Sequence, residues 1–336
     1  MVRVAINGFG RIGRCFFRVA HSAKDIEVVA LNDLGPIENL AHLLKYDTVY
    51  GRFAGKVLVQ GGQLFVDGQR IAFSQEKDLS KLPWKENKVD VVIESTGVFT
   101  DPAKAKAHLD AGAKRVVISA PAKGEGAETV LIGANEEKFG ICDITSNASC
   151  TTNAASPLIG ILDEVVGIER AILNTTHAYT VSQSLVDGGK AKDVRESRAA
   201  AQNMVPTSTG AAKATSLAYP QLRGKFDGVS VRVPVPAGSL VDVTFVAKRS
   251  TSVEEVNGAL KKAAGSKRWK RVFAVTEEPL VSSDILGQPF GAIADLAMTR
   301  VVDGTLVKVL AWYDNEMGYA YTLVEHVREV AKKLKP

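Results

Sequence analysis

The sequence predicts an α/β protein with a doubly wound parallel sheet in its N-terminal half and an α+β domain, on a large mixed or antiparallel sheet, in its C-terminal half. In the N-terminal half, short β-branched runs alternate with helical segments, which is typical of βαβ units. A glycine-rich turn separates the first strand from the first helix. Beyond position 150 the strands become longer, and turn-rich pieces join them.

The elements of the first half follow one another as strand, helix and strand. Strands are predicted at 2–7, 26–33, 90–94 and 115–119, and helices at 11–22, 37–45 and 103–112. The strands are almost continuously apolar, which favours a parallel sheet with both faces covered by helices.

The second half of the chain contains longer strands joined by turn-rich pieces. Its strands are predicted at 170–179, 229–235, 241–247 and 306–313. A helix is expected from 251 onwards, because Ser252 and Glu255 have the spacing of a capping box. The last helix, 318–335, carries an apolar stripe formed by Leu323, Val327, Val330 and Leu334. We therefore predict a first domain over 1–149, completed by the C-terminal helix 316–336, and a second domain over 150–315.

The composition is that of a folded globular chain. Of its 336 residues, 46% are hydrophobic and 24% are charged, and the net charge is +5. The basic residues are scattered, so a nucleic-acid partner is not expected, whereas a mildly basic protein suits an anionic substrate. The sequence has neither a signal-peptide pattern nor a segment of membrane-spanning length, and its three cysteines lack C-x-x-C spacing. These features predict a cytoplasmic protein with no metal site and no membrane partner.

The glycine-rich turn reads G-F-G-R-I-G and contains Gly8, Gly10 and Gly13. Between a strand and a helix, this pattern predicts a Rossmann-type dinucleotide site with the pyrophosphate at the helix N terminus. Asp33 ends the second strand at the position expected for a carboxylate that binds the adenosine ribose. Its charge would repel a 2′-phosphate, so NAD is favoured over NADP. The competing interpretation is a structural glycine turn with an ordinary aspartate.

Cys150 lies in S-N-A-S-C-T-T-N, among small and polar residues instead of the apolar neighbours of a core cysteine. A helix that begins there would lower the thiol pKa, although Pro157 is expected to kink or interrupt it. His177, in N-T-T-H-A-Y-T at a strand end, is the leading candidate for a base. The other four histidines fall on helical stretches, where packing or surface roles are expected.

Six motifs occur in register along the chain: I-N-G-F-G-R-I-G-R, L-A-H-L-L-K-Y-D, S-N-A-S-C-T-T-N, P-T-S-T-G-A-A-K-A, V-R-V-P-V-P and W-Y-D-N-E-M-G-Y. With them the chain resembles the phosphorylating glyceraldehyde-3-phosphate dehydrogenase family over essentially its whole length. The resemblance implies NAD-dependent oxidation of glyceraldehyde 3-phosphate, with inorganic phosphate as the second substrate, in a homotetramer.

The resemblance also implies roles for individual residues. Cys150 matches the nucleophile and His177 the base. Thr180 and Arg232 match the site for the substrate's own phosphate. The site for inorganic phosphate is matched by Ser149, Thr151, Thr209 and Gly210. The cofactor is matched by Gly8, Gly10, Arg11, Ile12, Gly13, Asp33, Lys77, Ser119, Asn315 and Tyr319, of which Asn315 corresponds to the residue that holds the nicotinamide amide.

The sequence departs from the family pattern at four places. Ala154 replaces a frequent second cysteine, and Lys77 stands where an arginine is common. Glu196 stands where many bacterial members place a phosphate-binding arginine, so Arg195 or Arg198 is expected to serve instead. The loop 186–193, with Gly188, Gly189 and Lys190, lacks the proline associated with strict use of NAD.

Two other functions remain open at this point. The first is erythrose-4-phosphate dehydrogenase, which shares S-N-A-S-C-T-T-N but commonly lacks the match to Thr180 and to S-T-G at 208–210. The second is a non-catalytic, NAD-binding regulatory protein, which an intact pair of Cys150 and His177 argues against.

Overall fold

A computed structural model describes residues 1–189 and 193–334 of the chain, so Lys190 of the loop discussed above lies outside the described residues. The chain divides into two compact units. The first contains Met1–Val130, Glu136–Ala148 and a segment that begins at Leu323, and the second contains Leu131–Asn135 and Ser149–Thr322. The assignment of one domain to the cofactor and the other to the substrate stays a prediction.

The first unit is built on a sheet to which nine strands contribute in the described part of the chain. Its strands are β1 (Val2–Asn7), β2 (Ile26–Asn32), β5 (Val57–Gln60), β6 (Gln63–Val66), β7 (Gln69–Ser74), β8 (Val91–Glu94), β9 (Arg115–Ile118), β10 (Glu128–Thr129) and β11 (Ile144–Ser146), while β3 (Tyr46–Asp47) and β4 (Gly51–Arg52) form a separate ribbon. The helices are α1 (Arg11–His21), α2 (Ile37–Lys45), α3 (Pro102–Ala105) and α4 (Ala107–Asp110).

The order of the strands in this sheet is β10-β11-β9-β8-β1-β2-β7-β6-β5. The strands from β10 to β7 pair in parallel, and β5 and β6 are added to β7 in antiparallel fashion. β1 lies between β2 and β8, so the connections on its two sides leave in opposite directions. This reversal is the switch point beside which α/β sheets bind their ligands, at the carboxyl ends of the strands.

The second unit contains a mixed sheet whose order is β13-β14-β12-β15-β18-β17-β16 among the described residues. Its strands are β12 (Ile168–Ala178), β13 (Val205–Ser208), β14 (Phe226–Val233), β15 (Ser239–Ala247), β16 (Phe273–Thr276), β17 (Ala292–Val302) and β18 (Leu306–Tyr313). The pairs β12–β14 and β16–β17 are parallel, and the remaining pairs are antiparallel. The fold class predicted from the sequence is therefore confirmed, with the second sheet mixed.

The helices associated with this sheet are α5 (Cys150–Val165), α6 (Ala211–Ala218) and α7 (Val253–Ala264), and the last helix is α8 (Met317–Lys332). Single 3-10 turns occur at Leu79–Lys81, Glu136–Lys138, Val194–Ser197 and Pro220–Leu222. Along β15, buried and half-buried side chains alternate, and α5 packs against β15, β17 and β18. One face of the sheet thus forms the core of the unit.

Two local expectations need correction. The helix expected over 103–112 is two short helices, α3 and α4, although Lys106 between them keeps right-handed helical dihedral angles. The helix α5 is not interrupted at Pro157. Every residue from Thr151 to Leu162 is buried, so the packing of the helix outweighs the one backbone hydrogen bond that a proline removes.

Candidate active site

The glycine-rich turn joins β1 to α1 in the first unit. Gly8 has φ +94°, and a Cβ added to it would lie 2.6 Å from the backbone nitrogen of Thr96. A Cβ on Gly13 would lie 2.2 Å from the carbonyl oxygen of Gly8. Both positions therefore require glycine for the turn itself.

Gly10 differs from its two neighbours because it faces open space. It is exposed, has a negative φ of −71°, and a Cβ added there would meet no atom of the described residues within 4 Å. Gly10 is also the N-cap of α1, and no side chain caps this helix end. The backbone N–H groups of the first turn, which includes Arg11 and Ile12, are thus suited to an anion such as a pyrophosphate.

Asp33 directly follows β2 and lies beside this turn. Its Oδ2 accepts a hydrogen bond from the backbone N–H of Phe9 at 2.6 Å, and its Oδ1 accepts one from Gly35 at 2.8 Å. The carboxylate is therefore fixed at the carboxyl end of β2, half-buried. Together with the open cradle at Gly10, this arrangement fits the pyrophosphate and adenosine ribose of NAD.

The remaining cofactor candidates of the first unit, Ser119, Arg11 and Lys77, differ in their surroundings. Ser119 follows β9, and its hydroxyl donates to the carbonyl oxygen of Glu94 at 3.0 Å, so it lies at the same edge of the sheet. The side chain of Arg11 is paired with Asp47 and lies over the ring of Tyr50. Lys77 is exposed.

The second unit brings together Cys150 and His177. Cys150 is the first residue of α5, and Ser149, its N-cap, accepts a hydrogen bond from the backbone N–H of Thr152. His177 is the second-last residue of β12. The Sγ of Cys150 lies 3.4 Å from Nε2 of His177, so a proton can pass directly between them.

The surroundings of both groups disfavour their charged forms. Burial raises the pKa of the Cys150 thiol, and the Arg232 guanidinium and hydrogen bonds from Thr151 oppose that shift. Burial, followed by the charge of Arg232, lowers the pKa of His177 to about 3. The lowered thiol pKa expected from the helix start is thus outweighed by desolvation, and the resting pair is a thiol beside a neutral imidazole.

The contacts at Nδ1 of His177 indicate its tautomer. The carbonyl oxygen of Ala178 lies 2.6 Å away, and Nη1 of Arg232 lies 2.8 Å away. The carbonyl can only accept and requires a proton on Nδ1, whereas the guanidinium can only donate and requires a lone pair there, so a neutral ring satisfies one of the two contacts. The shorter contact, to Ala178, favours the tautomer that carries its proton on Nδ1. Nε2 is then the lone-pair nitrogen and faces the thiol of Cys150.

Arg232 also has an unused donor. Its Nη1 lies 3.1 Å from the oxygen of Ala178, whereas its Nε is buried and has no hydrogen-bond partner among the described residues. A buried guanidinium N–H without an acceptor is costly, and an anionic ligand would satisfy it. Thr180 follows β12, with its hydroxyl 3.1 Å from Oγ of Ser182.

The four candidates for an inorganic phosphate site lie at two helix starts. Ser149 caps α5, and Thr151 lies in its first turn, with Oγ1 2.9 Å from the phenol oxygen of Tyr313. Gly210 caps α6, and the Oγ1 of Thr209 accepts from the backbone N–H of Ala211 at 3.2 Å. Hydroxyls and free helix-end N–H groups suit an anion.

Both arginines expected to serve that site are paired with aspartates in the structure. Arg195 and Arg198 are exposed and form ion pairs with Asp193 and Asp187. Glu196 is half-buried, and its Oε1 accepts from Oγ1 of Thr207 at 3.1 Å. A phosphate bound by either arginine would compete with this pairing.

Asn315 follows β18 and is buried, with an exposed fraction of 5%. Its Oδ1 accepts hydrogen bonds from the backbone N–H of Gly238 at 3.1 Å and from Oγ of Ser239 at 3.0 Å. The opposite side of its amide, Nδ2, is the donor available to a nicotinamide carboxamide. Tyr319, in the first turn of α8, is buried as well.

Sequence reasoning missed several polar residues that support this site. Tyr313 places its phenol oxygen between Thr151 of α5 and Thr175 of β12, at 2.9 and 2.8 Å. It thereby ties the helix of Cys150 to the strand of His177. Tyr313 lies inside a motif quoted above, but no local pattern signals such a link, because the two partners are distant in the sequence.

Two further properties concern the described residues as a whole. Residues 1–189 and 193–334 contain no group of three or more His, Cys, Asp or Glu side chains arranged to hold a metal ion. In the same part of the chain, no helix combines the length and the apolar character needed to cross a membrane.

Comparisons with known proteins identify the family of the chain. The family model "Glyceraldehyde 3-phosphate dehydrogenase, NAD binding domain" matches residues 2–102, and the model of the C-terminal domain of the same family matches residues 149–315. Glyceraldehyde-3-phosphate dehydrogenase 2 of Streptomyces avermitilis is 50% identical over 327 residues, which cover 96% of this chain and 97% of the relative. Glyceraldehyde-3-phosphate dehydrogenase 1 of Bacillus subtilis and the enzyme of Zymomonas mobilis are 48% and 46% identical, each over 99% of both chains. The chain therefore belongs to the glyceraldehyde-3-phosphate dehydrogenase family of NAD-dependent oxidoreductases.

Proposed function

We propose that this chain oxidises D-glyceraldehyde 3-phosphate to 1,3-bisphosphoglycerate, with NAD as oxidant and inorganic phosphate as second substrate, through a thioester on Cys150. The observation that carries the proposal is the distance of 3.4 Å between Sγ of Cys150 and Nε2 of His177, in a chain of this family. A nucleophilic thiol beside a neutral imidazole is the arrangement that aldehyde capture requires.

The first step is the addition of the thiol to the aldehyde. Nε2 of His177 takes the proton of Cys150 as sulfur bonds to the aldehyde carbon, and the resulting imidazolium gives this proton to the carbonyl oxygen to form a hemithioacetal. The imidazolium that forms transiently keeps its hydrogen bond from Nδ1 to the oxygen of Ala178. The proton therefore moves between two groups already in contact.

Arg232 and Thr180 hold the phosphate of the substrate. The buried Nε of Arg232 gains an acceptor when the phosphate binds. The dianion also offsets the guanidinium charge that disfavours a protonated His177. Binding of the correct substrate thus makes His177 a better base.

The second step converts the hemithioacetal to the thioester. His177 accepts the hydroxyl proton while the carbon loses a hydride and the C=O bond forms. NAD, when bound, supplies the hydride acceptor. Residues of the glycine turn and Asp33 would hold its pyrophosphate and ribose, and Asn315 would hold its nicotinamide amide.

The third step releases the product. Inorganic phosphate attacks the thioester carbon, the C–S bond breaks, and the sulfur of Cys150 leaves and is reprotonated. Ser149, Thr151, Thr209 and Gly210 supply donors for this phosphate, and Arg195 or Arg198 supplies a cation once it leaves its aspartate. Phosphorolysis keeps in the acyl phosphate the energy that hydrolysis would release as heat.

The assembly and the location of the chain belong to the same proposal. We propose a homotetramer, which the resemblance to the family implies. Large apolar side chains that are exposed at 181–189 and 193–204 suit an interface between subunits: Val181, Leu185, Val186, Val194 and Met204. A cytoplasmic location is consistent with the free thiols of Cys15, Cys142 and Cys150.

A spectrophotometric assay tests the function directly. We expect NADH to form with glyceraldehyde 3-phosphate only when inorganic phosphate is present, slowly with erythrose 4-phosphate, and more slowly with NADP than with NAD. Cys150→Ser should abolish turnover and leave NAD binding intact. Retained turnover in this variant, or equal rates without phosphate, would refute the proposed mechanism. Faster turnover of erythrose 4-phosphate would assign the chain to the sister enzyme.

A further inference from the structure

We propose that Ser239 is a positioning residue that sets the orientation of the Asn315 amide and is itself anchored by a hydrogen bond from the strand that carries His177. The inference rests on the proposed function, which assigns Asn315 to the nicotinamide amide. Ser239 itself touches neither substrate nor cofactor, and its exposed fraction is 1%.

The link consists of two hydrogen bonds at one hydroxyl. Oγ of Ser239 accepts from the backbone N–H of Ala178 at 3.1 Å and lies 3.0 Å from Oδ1 of Asn315. Ala178 is the residue after His177 and accepts from its Nδ1. One hydroxyl therefore connects the neighbour of the base with the amide assigned to the cofactor.

The direction of each hydrogen bond follows from the donors present. A backbone N–H only donates, so the hydroxyl of Ser239 uses a lone pair for Ala178 and has its single proton left for Asn315. The backbone N–H of Gly238 also donates to the same amide atom of Asn315. Two donors converge on that atom, so it is the amide oxygen, and Nδ2 is the side of Asn315 that is presented to a ligand.

The second donor is held by a rigid turn. Gly238 has φ +87°, and a Cβ added to it would lie 2.4 Å from the carbonyl oxygen of Ser282. Gly238 is thus confined to a conformation and a contact that only glycine allows. Its N–H alone cannot keep the amide of Asn315 from rotating, whereas the two donors together resist rotation.

The strand arrangement explains why this link joins cofactor and base. Ser239 begins β15, which pairs with β12 of His177 on one side and with β18 on the other. Ser239 lies opposite Tyr313 in this register, two residues before Asn315. The strand of His177 and the amide of Asn315 are thus both hydrogen-bonded to the first residue of β15.

The test compares Ser239→Ala with the wild-type holoenzyme and apoprotein. We expect the dissociation constant for NAD, measured by fluorescence titration without substrate, to rise about tenfold. The alkylation rate of Cys150 in the apoprotein should remain unchanged, because the contact between Cys150 and His177 is retained. Ser239→Thr keeps the hydroxyl and should restore most of the affinity. Ser216→Ala, which removes another buried hydroxyl, one that donates to the carbonyl oxygen of Ala212, should leave both quantities unchanged.

A double-mutant cycle makes the inference falsifiable even if Ser239→Thr fails to fold. If Ser239 acts through Asn315, adding Ser239→Ala to Asn315→Ala should cause no further loss of NAD affinity. Additive losses, or an unchanged NAD affinity in Ser239→Ala, would overturn the inference.

A second readout is the face of the nicotinamide ring that receives deuterium from 1-deuterated aldehyde. We expect a fraction of the deuterium on the opposite face in Ser239→Ala and none in Ser216→Ala. Inactivity of the wild-type protein in the assay above would refute the proposed function instead.

Discussion

Nη1 of Arg232 lies 2.8 Å from Nδ1 of His177, which places a permanent cation against the imidazole proposed as the base. Burial of the ring, followed by the charge of this neighbour, keeps the pKa of His177 at about 3. The imidazole is therefore neutral at neutral pH. It can accept the proton of Cys150 without first losing one of its own.

The first prediction concerns the pH dependence of thiol reactivity. Because burial raises the pKa of Cys150 and His177 stays neutral, the thiolate fraction of the ligand-free protein should grow steadily as the pH rises. We expect the rate of alkylation by iodoacetamide, followed by mass spectrometry at Cys150, to increase through the neutral range and on above the ordinary thiol pKa. His177→Asn removes the proton acceptor and should slow the reaction at neutral pH.

An alkylation rate that is constant between about pH 6 and 8 would contradict this prediction, since it would indicate a thiolate–imidazolium pair already formed at rest. Cys142 provides an internal reference. It is half-buried, its Sγ lies 2.9 Å from the carbonyl oxygen of Ile144, and it has no imidazole partner in the described part of the chain. Its alkylation should be unaffected by His177→Asn.

The second prediction concerns recognition of the substrate's phosphate. Arg232→Gln removes the guanidinium whose buried Nε lacks an acceptor. The ratio of kcat/KM for glyceraldehyde 3-phosphate to that for unphosphorylated glyceraldehyde should fall about 10- to 100-fold, the worth of a charge-assisted hydrogen bond. The exposed Arg223 offers a control, since Arg223→Gln should leave the ratio unchanged. An equal loss on both aldehydes would place Arg232 outside the phosphate site.

The fold could be predicted largely because its strands are long apolar runs with clear ends. The run at 306–313 is β18 without any change in bounds, and 2–7 is β1. The hairpin formed by β5 and β6 was not predicted. Its strands have four residues each, and an alternation of polar and apolar residues over so short a run is not distinctive. The path of α5 through Pro157 could not be predicted because tertiary packing, which a local pattern does not contain, decides it.

Residues of the candidate site could be proposed from the sequence where the residue type itself indicates a chemical role. Cys150, His177 and Asp33 are of this kind. The sequence could not indicate that Arg195 and Arg198 are paired with aspartates of the same segment, because both partners are common surface residues. Nor could it identify Ser239 or Tyr313. Their importance comes from neighbours in adjacent strands, and register across a mixed sheet is not written in any short motif.

The third prediction separates the structural glycines of the turn from the ligand-facing one. Gly13→Ala places a Cβ 2.2 Å from the carbonyl oxygen of Gly8 and should destabilise the protein by about 2 kcal/mol or more. Gly10→Ala meets no described atom within 4 Å and should cost less than about 1 kcal/mol. Its NAD affinity should nevertheless fall at least about tenfold, because the methyl group occupies the space of the pyrophosphate. Urea unfolding and NAD titration of both variants measure the two effects, and unchanged NAD affinity in Gly10→Ala would move the cofactor away from this turn.

The fourth prediction concerns a buried carboxylate at the carboxyl end of β8. Glu94, with an exposed fraction of 2%, accepts hydrogen bonds from Asn7 Nδ2 at 2.6 Å, His108 Nε2 at 3.0 Å and the backbone N–H of Thr96 at 2.9 Å. Trp84 Nε1 donates to Nδ1 of His108 at 3.0 Å, so His108 can donate only through Nε2. In Glu94→Gln one amide N–H must face these donors, which should cost about 1–3 kcal/mol. Urea unfolding should show this loss, and the exposed Glu86→Gln should not.

The last prediction concerns the dependence of stability on pH at the end of α8. Arg328 holds both carboxylate oxygens of Asp25, at 2.8 and 2.9 Å, across 303 residues of sequence. The side-chain hydrogen bond from Arg328 lowers the pKa of Asp25 in the folded state. The pair therefore stabilises the fold fully above the unfolded pKa of about 4 and loses its contribution as the pH falls through the lower, folded value. Because the side chain of Asp25 is 52% exposed, solvent screening limits the effect to about 0.5–1 kcal/mol.

Asp25→Asn should lower the urea midpoint at pH 7 and match the wild type near pH 2, whereas the exposed Glu137→Gln should change neither midpoint. An equal loss at both pH values would show that packing of the side chain, and not its charge, accounts for the stabilisation.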